Sequence, residues 1–250
     1  GRLKKIRAED PRKLSIQRTT TVYTMGLPWA AFAPGFGTTN VSEGGGGLHC
    51  GNSAHQVSGL LHASWGVLPD FQYCNYALYF GASKGHAAGH NSNSNMGPAA
   101  DARERGMKMV VIDPMCNFAA AKANEWVPIR VGTDAALALA MCNVLANELG
   151  TLDIPYLKAK TNGPYLIGPD GTYVRDIETN EPLVWDTKDS IAKPHNVADS
   201  EDMALEGEFE VNGVTCQPSF ILLKEHLKKY TPEYAEEITT VPAENIRRLT

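Results

Sequence analysis

The sequence predicts an α/β fold: a parallel sheet with helices on both faces, carrying a β-containing insertion. Three observations support this expectation. Between residues 75 and 149, strand-like and helix-like runs alternate as they do in βαβ units. Residues 161–215 change character, with frequent Asp and Pro and short β-like runs. A chain of 250 residues that is 43% hydrophobic and 20% charged can also bury a sizeable core, as one large domain or two smaller ones.

Taken in order, the Thr-rich run from Arg18 to Tyr23 favours a strand, and the apolar stretch from Leu27 to Phe32 is expected to be irregular. Gly35 to Gly47 is rich in Gly, Thr, Ser and Asn and ends in four consecutive glycines, so it reads as a loop able to approach a ligand closely. Strands are expected over 75–80, 107–112 and 126–130, with a helix from Pro98 to Arg105 closed by Gly106. Thr133 and Asp134 precede a helix over 135–149, with Leu137, Met141, Val144 and Leu145 on one face and Gly150 as its stop. Thr172 to Val174 and Phe209 to Val211 read as hairpin strands. A helix is expected over 218–230, and Pro232 and Pro242 mark two further helix starts. The expected organisation is a partial N-terminal α/β segment with the Gly-rich loop over 1–47, the main α/β domain over 48–160, the insertion over 161–215, and the truncated start of a helical segment over 216–250. The absence of an initiator Met before Gly1, and an end at Thr250 inside a helical pattern, are the expected signs of partial domains from a larger multi-domain subunit.

Composition excludes several classes. A net charge of -5, with no Lys/Arg stripe interleaved with aromatics, argues against nucleic acid as a partner. The best apolar stretch, Ala135 to Leu149, is interrupted by Asn143, Asn147 and Glu148 and falls short of the ~18 to 20 residues of a membrane span, so no direct membrane insertion is expected. The five cysteines form no CxxC pair, so zinc or an iron–sulfur cluster held by these residues alone is disfavoured. Reduced, mostly buried thiols are expected instead.

The chemistry is expected in loops after strands, where open α/β sheets bind nucleotides. The first, Phe80-Gly-Ala-Ser-Lys-Gly-His-Ala, would let backbone N–H groups approach a phosphate or would simply turn the chain, because it lacks both the GxGxxG and the P-loop spacing. In the second, Ile112-Asp-Pro-Met-Cys-Asn, the Asp113 carboxylate either accepts ribose hydroxyls or only breaks the strand with Pro114. In the third, Gly132-Thr-Asp, Asp134 either caps a helix or matches the adjacent N1–H and N2–H₂ donors of guanine. Together they make the sheet dinucleotide-binding-like.

The run Val110-Val-Ile-Asp-Pro, the segment from Ala119 to Trp126, the run Val127-Pro-Ile-Arg-Val-Gly-Thr-Asp-Ala-Ala-Leu and the closing stretch from Tyr230 to Leu249 together resemble the dimethyl sulfoxide reductase family of molybdopterin oxidoreductases. That resemblance implies bis-molybdopterin guanine dinucleotide with Mo or W. One dinucleotide would be contacted by Gly81, Ala82, Ser83, Lys84 and His86, by Asp113, Pro114, Met115, Cys116 and Asn117, and by Gly132, Thr133 and Asp134. The family often has Asn-Pro at Ser83-Lys84, Arg at Met115 and Pro at Val131, so this chain departs from the family at those side chains more than at the backbone. Cys50, after the Gly-rich loop, falls where the family places its protein ligand to the metal, and a thiolate suits such a soft site. His55 and His62 follow as proton donors or substrate contacts, or as structural residues. His90 lies beside the nucleotide loop, while Cys74, Cys142 and Cys216 read as core and Arg103, Arg105 and Lys108 as solvated.

The resemblance further implies a prokaryotic enzyme, cytoplasmic or periplasmic, that performs two-electron redox or oxygen-atom transfer on a small-molecule substrate. A [4Fe-4S] cluster is expected in a region N-terminal to this chain, together with an iron–sulfur electron-transfer subunit, and the 250 residues alone are expected to be inactive. The segment from Gly163 to Gly171 and the insertion resemble the hydratase and transhydroxylase branch of the family. A pterin-free scaffold relative, as in respiratory complex I, is the remaining alternative.

Overall fold

The computed structural model describes residues 1–18, 31–43, 55–64, 67–83 and 92–250. The chain divides into two compact units, Gly1–Asp70 and Phe71–Thr250.

In the first unit, helix α1 (Arg2–Glu9) leads through a 3-10 turn to strand β1 (Ile16–Arg18), which pairs in parallel with β2 (Val41–Glu43). Residues 31–36 are helical, and helix α2 spans Gln56–His62. Two expectations are corrected here. The end of the apolar stretch forms a helix because Ala33 and Phe36, one turn apart, bury together. Part of the Gly/Thr/Ser segment forms β2 because pairing with β1 outweighs its weak local preference.

The second unit is built on the parallel sheet β3 (Tyr76–Phe80), β4 (Lys108–Ile112) and β5 (Glu125–Val127), in the order β3-β4-β5. Period-two alternation along β4 sends Met109 and Val111 to one face and Val110 and Ile112 to the other. Met109 and Val111 pack with Tyr79 and with Ala99 and Ala102 of helix α3 (Ser92–Glu104). Val110 and Ile112 pack with Leu137, Ala140 and Met141 of α4 (Asp134–Asn143). Helices therefore cover both faces, as predicted, and the fold is mixed α/β on a parallel sheet.

Several boundaries differ from expectation for identifiable reasons. α3 begins at Ser92 and contains Pro98, because the buried Ala99 and Ala102 dock it on the sheet. β5 ends at Val127 because Pro128 has no N–H for the ladder; the chain instead rejoins a partner at Arg130, whose N–H donates to Thr239 O at 2.9 Å. The predicted helix over 135–149 is α-helical only to Asn143 and then winds as a π segment over Val144–Leu149.

Helix α5 (Ile154–Lys160) leads into the insertion. There β6 (Leu166–Ile167) pairs with β10 (Val214–Pro218), which pairs antiparallel with β9 (Phe209–Val211), while β7 (Leu183–Asp186) and β8 (Ile191–Pro194) form a second hairpin. Leu166, Leu183, Val211 and Cys216 form its core, beside stacked Trp185 and Phe209 at 4.4 Å. Helices α6 (Ser219–Leu227), α7 (Pro232–Thr239) and α8 (Ala243–Leu249) follow. Pro232 takes the first position of α7 as predicted, whereas Pro242 sits one place earlier, as the N-cap of α8. Ala235, Val241, Ile246 and Leu249 complete the core on the α4 face of the sheet. No single helix among the described residues is long and apolar enough to cross a membrane.

The thiols correct another expectation. Of the four described cysteines only Cys216 is buried; Cys74 is half-buried, and Cys116 and Cys142 are exposed. Cys142 lies on the outer side of α4, between Met141 and Asn143, which face inward.

Candidate functional site

Because β3, β4 and β5 run parallel and in register, with Phe80 beside Ile112 and Ile112 beside Val127, their C-terminal ends lie along one edge of the sheet. The loops that follow them leave from that edge side by side. Two backbone hydrogen bonds extend the ladder past the strands: Gly81 N–H donates to Ile112 O at 2.9 Å, and Asp113 N–H donates to Val127 O at 3.2 Å.

In the first loop Gly81 has φ +53, while Ala82 and Ser83 are half-buried. A Cβ at Gly81, or at Gly132 with φ +78, would meet nothing within 4 Å, so the bare backbone at both positions faces open space. In the second loop Asp113 Oδ1 accepts from Met115 N–H and Oδ2 from Asn117 Nδ2, both at 2.8 Å. Trp126 Nε1–H donates to Asp113 O at 2.8 Å. Pro114, Met115 and Cys116 are exposed. In the third loop Thr133 Oγ1 donates to Arg130 O at 2.6 Å, and Asp134 opens α4. The exposed Asp134 carboxylate has no hydrogen-bond partner among the described residues. The edge thus presents bare backbone, a carboxylate engaged by Met115 and Asn117, and a second carboxylate without a hydrogen-bond partner among the described residues.

The structure therefore sets Gly81 beside Ile112 and Asp113 beside Val127, with Ala82, Ser83 and Pro114 to Asn117 following in those two loops and Gly132 to Asp134 in the loop that leads from β5 to α4. Lys84, His86, His90 and Cys50 lie outside the described residues. His55 and His62 stand before and at the end of α2, in the first unit. Among the described residues no three His, Cys, Asp or Glu side chains gather as a metal site. A cavity of about 540 Å³ lies in the insertion, lined by Ile167, Gly171, Thr172, Tyr173 and Arg175, none of them a predicted site residue.

Sequence reading missed two residues. Trp126 secures Asp113 from the neighbouring strand, and its only sequence signal was an indole near a strand end. Arg105, read as solvated, donates from Nη2 to Phe71 O at 2.8 Å and to Cys74 O at 3.2 Å, tying the approach to β3 onto the end of α3.

Fold and edge define a parallel α/β protein whose candidate chemistry is concentrated in the loops after its strands. Residues 87–153 match the family model described as Molybdopterin oxidoreductase. A sulfite dehydrogenase subunit of Allochromatium vinosum is 32% identical over 99% of this chain, which spans 26% of that relative's length. Acetylene hydratase of Syntrophotalea acetylenica is 38% identical over 39% of the chain and 13% of its own length. Among solved structures, acetylene hydratase from Pelobacter acetylenicus superposes with a TM-score of 0.51 at 24% identity, covering 98% of this chain and 25% of that one. The chain is a relative of the molybdopterin oxidoreductases, the dimethyl sulfoxide reductase family that its sequence resembles. It spans about a quarter of the length of the sulfite dehydrogenase relative.

Proposed function

We propose that this chain is part of the catalytic subunit of a molybdenum or tungsten enzyme, and that its strand-end loops hold the guanine nucleotide end of a bis-molybdopterin guanine dinucleotide cofactor. In this reading the loop from Gly81 to His86 receives the phosphates through backbone N–H groups. Asp113, with Pro114, Met115, Cys116 and Asn117 around it, receives the ribose. Gly132, Thr133 and Asp134 receive the base. Cys50 is the metal ligand, and His55 is a proton donor or substrate contact. The observation that carries the reading is the in-register edge, which sets two carboxylates and two bare glycine backbones in adjacent loops. Bound there, the pterin-held metal supplies two-electron redox or oxygen-atom transfer chemistry. A [4Fe-4S] cluster and an electron-transfer partner belong to the same reading; a partner subunit is supported by the sulfite dehydrogenase relative, which is itself one subunit of its enzyme.

The base contact is tested by titrating the chain with GDP and with xanthosine diphosphate, in which a carbonyl replaces the 2-amino group. The wild type should prefer GDP, and Asp134→Asn should reverse the preference, because an amide offers the donor that xanthine needs; a swing of about tenfold in each direction is expected for one such contact. Equal binding of the two by the wild type would sink the assignment. A hydratase reading is favoured by the 38% identity to acetylene hydratase. Product analysis of the complete enzyme with and without an electron acceptor separates the two, since acceptor-independent turnover supports the hydratase and overturns the redox outcome.

A further inference from the structure

All four polar backbone and carboxylate atoms of Asp113 have partners within the chain, and these come from two directions. On the β5 side, its N–H donates to Val127 O at 3.2 Å and its carbonyl accepts from Trp126 Nε1–H at 2.8 Å. On the loop side, Oδ1 accepts from Met115 N–H and Oδ2 from Asn117 Nδ2, each at 2.8 Å. Asn117 is itself held from behind: its Oδ1 accepts from the N–H groups of Ala119 at 2.8 Å and Ala120 at 3.0 Å. Those two donors decide the orientation of the amide. The oxygen must face them, so the nitrogen must face the carboxylate.

A turn-capping role needs only the Asn117 oxygen, and a serine hydroxyl could supply that. The bond from Nδ2 to Asp113 goes beyond it and fixes the rotation of the carboxylate. An ionised carboxylate has about four lone-pair sites. One on each Asp113 oxygen is taken, and the side chain is only half-buried. Among the described residues each oxygen therefore keeps one acceptor site, giving a fixed pair suited to two vicinal hydroxyls.

We propose that Asn117 is a positioning residue, whose amide holds the Asp113 carboxylate in the orientation that accepts both hydroxyls of a ribose cis-diol. The loop thereby selects ribonucleotides over deoxyribonucleotides. Trp126 anchors the backbone end of the same group. This inference rests on the nucleotide reading above and adds to it how the diol acceptor is oriented.

The test is calorimetric titration of the full chain with GDP and with 2′-deoxy-GDP. The wild type should bind GDP about tenfold more tightly, as expected for one added charge-assisted contact. Asn117→Ser keeps a capping oxygen but loses the amide donor. It should weaken GDP about tenfold and 2′-deoxy-GDP, which keeps only the 3′-hydroxyl contact, by less, and so reduce the preference; Asp113→Ala, which removes both contacts, should weaken both ligands and abolish the preference. A second measurement needs no variant: in the wild type, the Asn117 side-chain amide resonances should shift more on adding GDP than on adding 2′-deoxy-GDP. If Asn117→Ser keeps the preference, or those resonances respond alike to both ligands, Asn117 is only a turn residue and the nucleotide reading survives. Failure of the wild type to bind GDP at all overturns that reading and this inference together.

Discussion

Asp113 and Asp186 are both carboxylates held by backbone N–H groups, and their surroundings assign them different work. Asp113 is half-buried, and among the described residues each of its carboxylate oxygens accepts one hydrogen bond. Asp186 is 2% exposed and held on both oxygens: it accepts from Lys193 Nζ at 2.7 Å, Lys188 N–H at 3.0 Å and Asp189 N–H at 2.9 Å. Lys193 above all, and then the Asp189 N–H, hold the Asp186 carboxyl below its usual range. The unfolded chain therefore binds this proton first as pH falls. The stabilisation is complete above the ordinary carboxylate range and is lost as pH drops from about 4 through the lowered folded value. Asp186→Asn should lower the melting temperature at pH 7 by several degrees and flatten the fall between pH 5 and 3; differential scanning calorimetry of both proteins across that range checks it, and parallel curves would refute the assignment. The same contrast explains what could be read from the sequence. Asp113 and Asp134 were visible as candidates because each follows a strand-like run, a property of local order. The roles of Trp126 and Arg105 depend on β5 lying beside β4 and on α3 ending beside Phe71, and neighbours across the fold leave no mark at a single position.

At the scale of elements, β3, β4 and β5 were legible because apolar runs ending in Gly, Asp-Pro or Pro carry their own boundaries. α3 was half hidden, since Ser, Asn, Gly and Pro over 92–98 are poor helix formers, and the helix is held by docking through the buried Ala99 and Ala102. The π segment after α4 was not legible, because apolar spacing alone does not report a change of hydrogen-bond register. Its polar contacts show what the altered winding accommodates. Asn147 Nδ2 donates to Asn143 Oδ1 at 2.8 Å and to Lys224 O of α6 at 3.1 Å, and Asn143 is 4% exposed. Removing the Asn147 amide leaves a buried oxygen on Asn143 without that donor, a loss of about 1–3 kcal/mol. Asn147→Ala should therefore lower the free energy of urea unfolding by that amount with an unchanged m-value, whereas Asn147→Gln, whose amide is displaced by one methylene, should recover only part of it. A change under about 0.5 kcal/mol in the alanine variant would mean that water replaces the bond at no cost.

For the whole molecule, the apolar clusters decide which part of the chain is self-sufficient. Among the described residues the three clusters, two on opposite faces of the parallel sheet and one in the insertion, draw on residues between Phe71 and Leu249. In the first unit the buried hydrophobics among the described residues are Ile16, Ala33 and Phe36. Arg247 pairs with Glu148 at 2.7 Å and Glu233 at 2.6 Å, and Arg248 pairs with Glu125 at 2.5 Å. These pairs brace α8, but they are partly exposed, and such pairs are worth about 0–1 kcal/mol each, against about 2–5 kcal/mol for a core side chain such as Ile246. Stability of the second unit thus rests on its own apolar packing, continuous from α3 through the sheet to α8. The segment Phe71–Thr250 produced alone should give a dispersed amide spectrum and a single cooperative thermal transition. Because the three strand-end loops lie within it, it should also retain the preference for GDP over xanthosine diphosphate. A molten spectrum from this segment, beside an ordered one from the full chain, would show that the first unit supplies packing the clusters do not reveal.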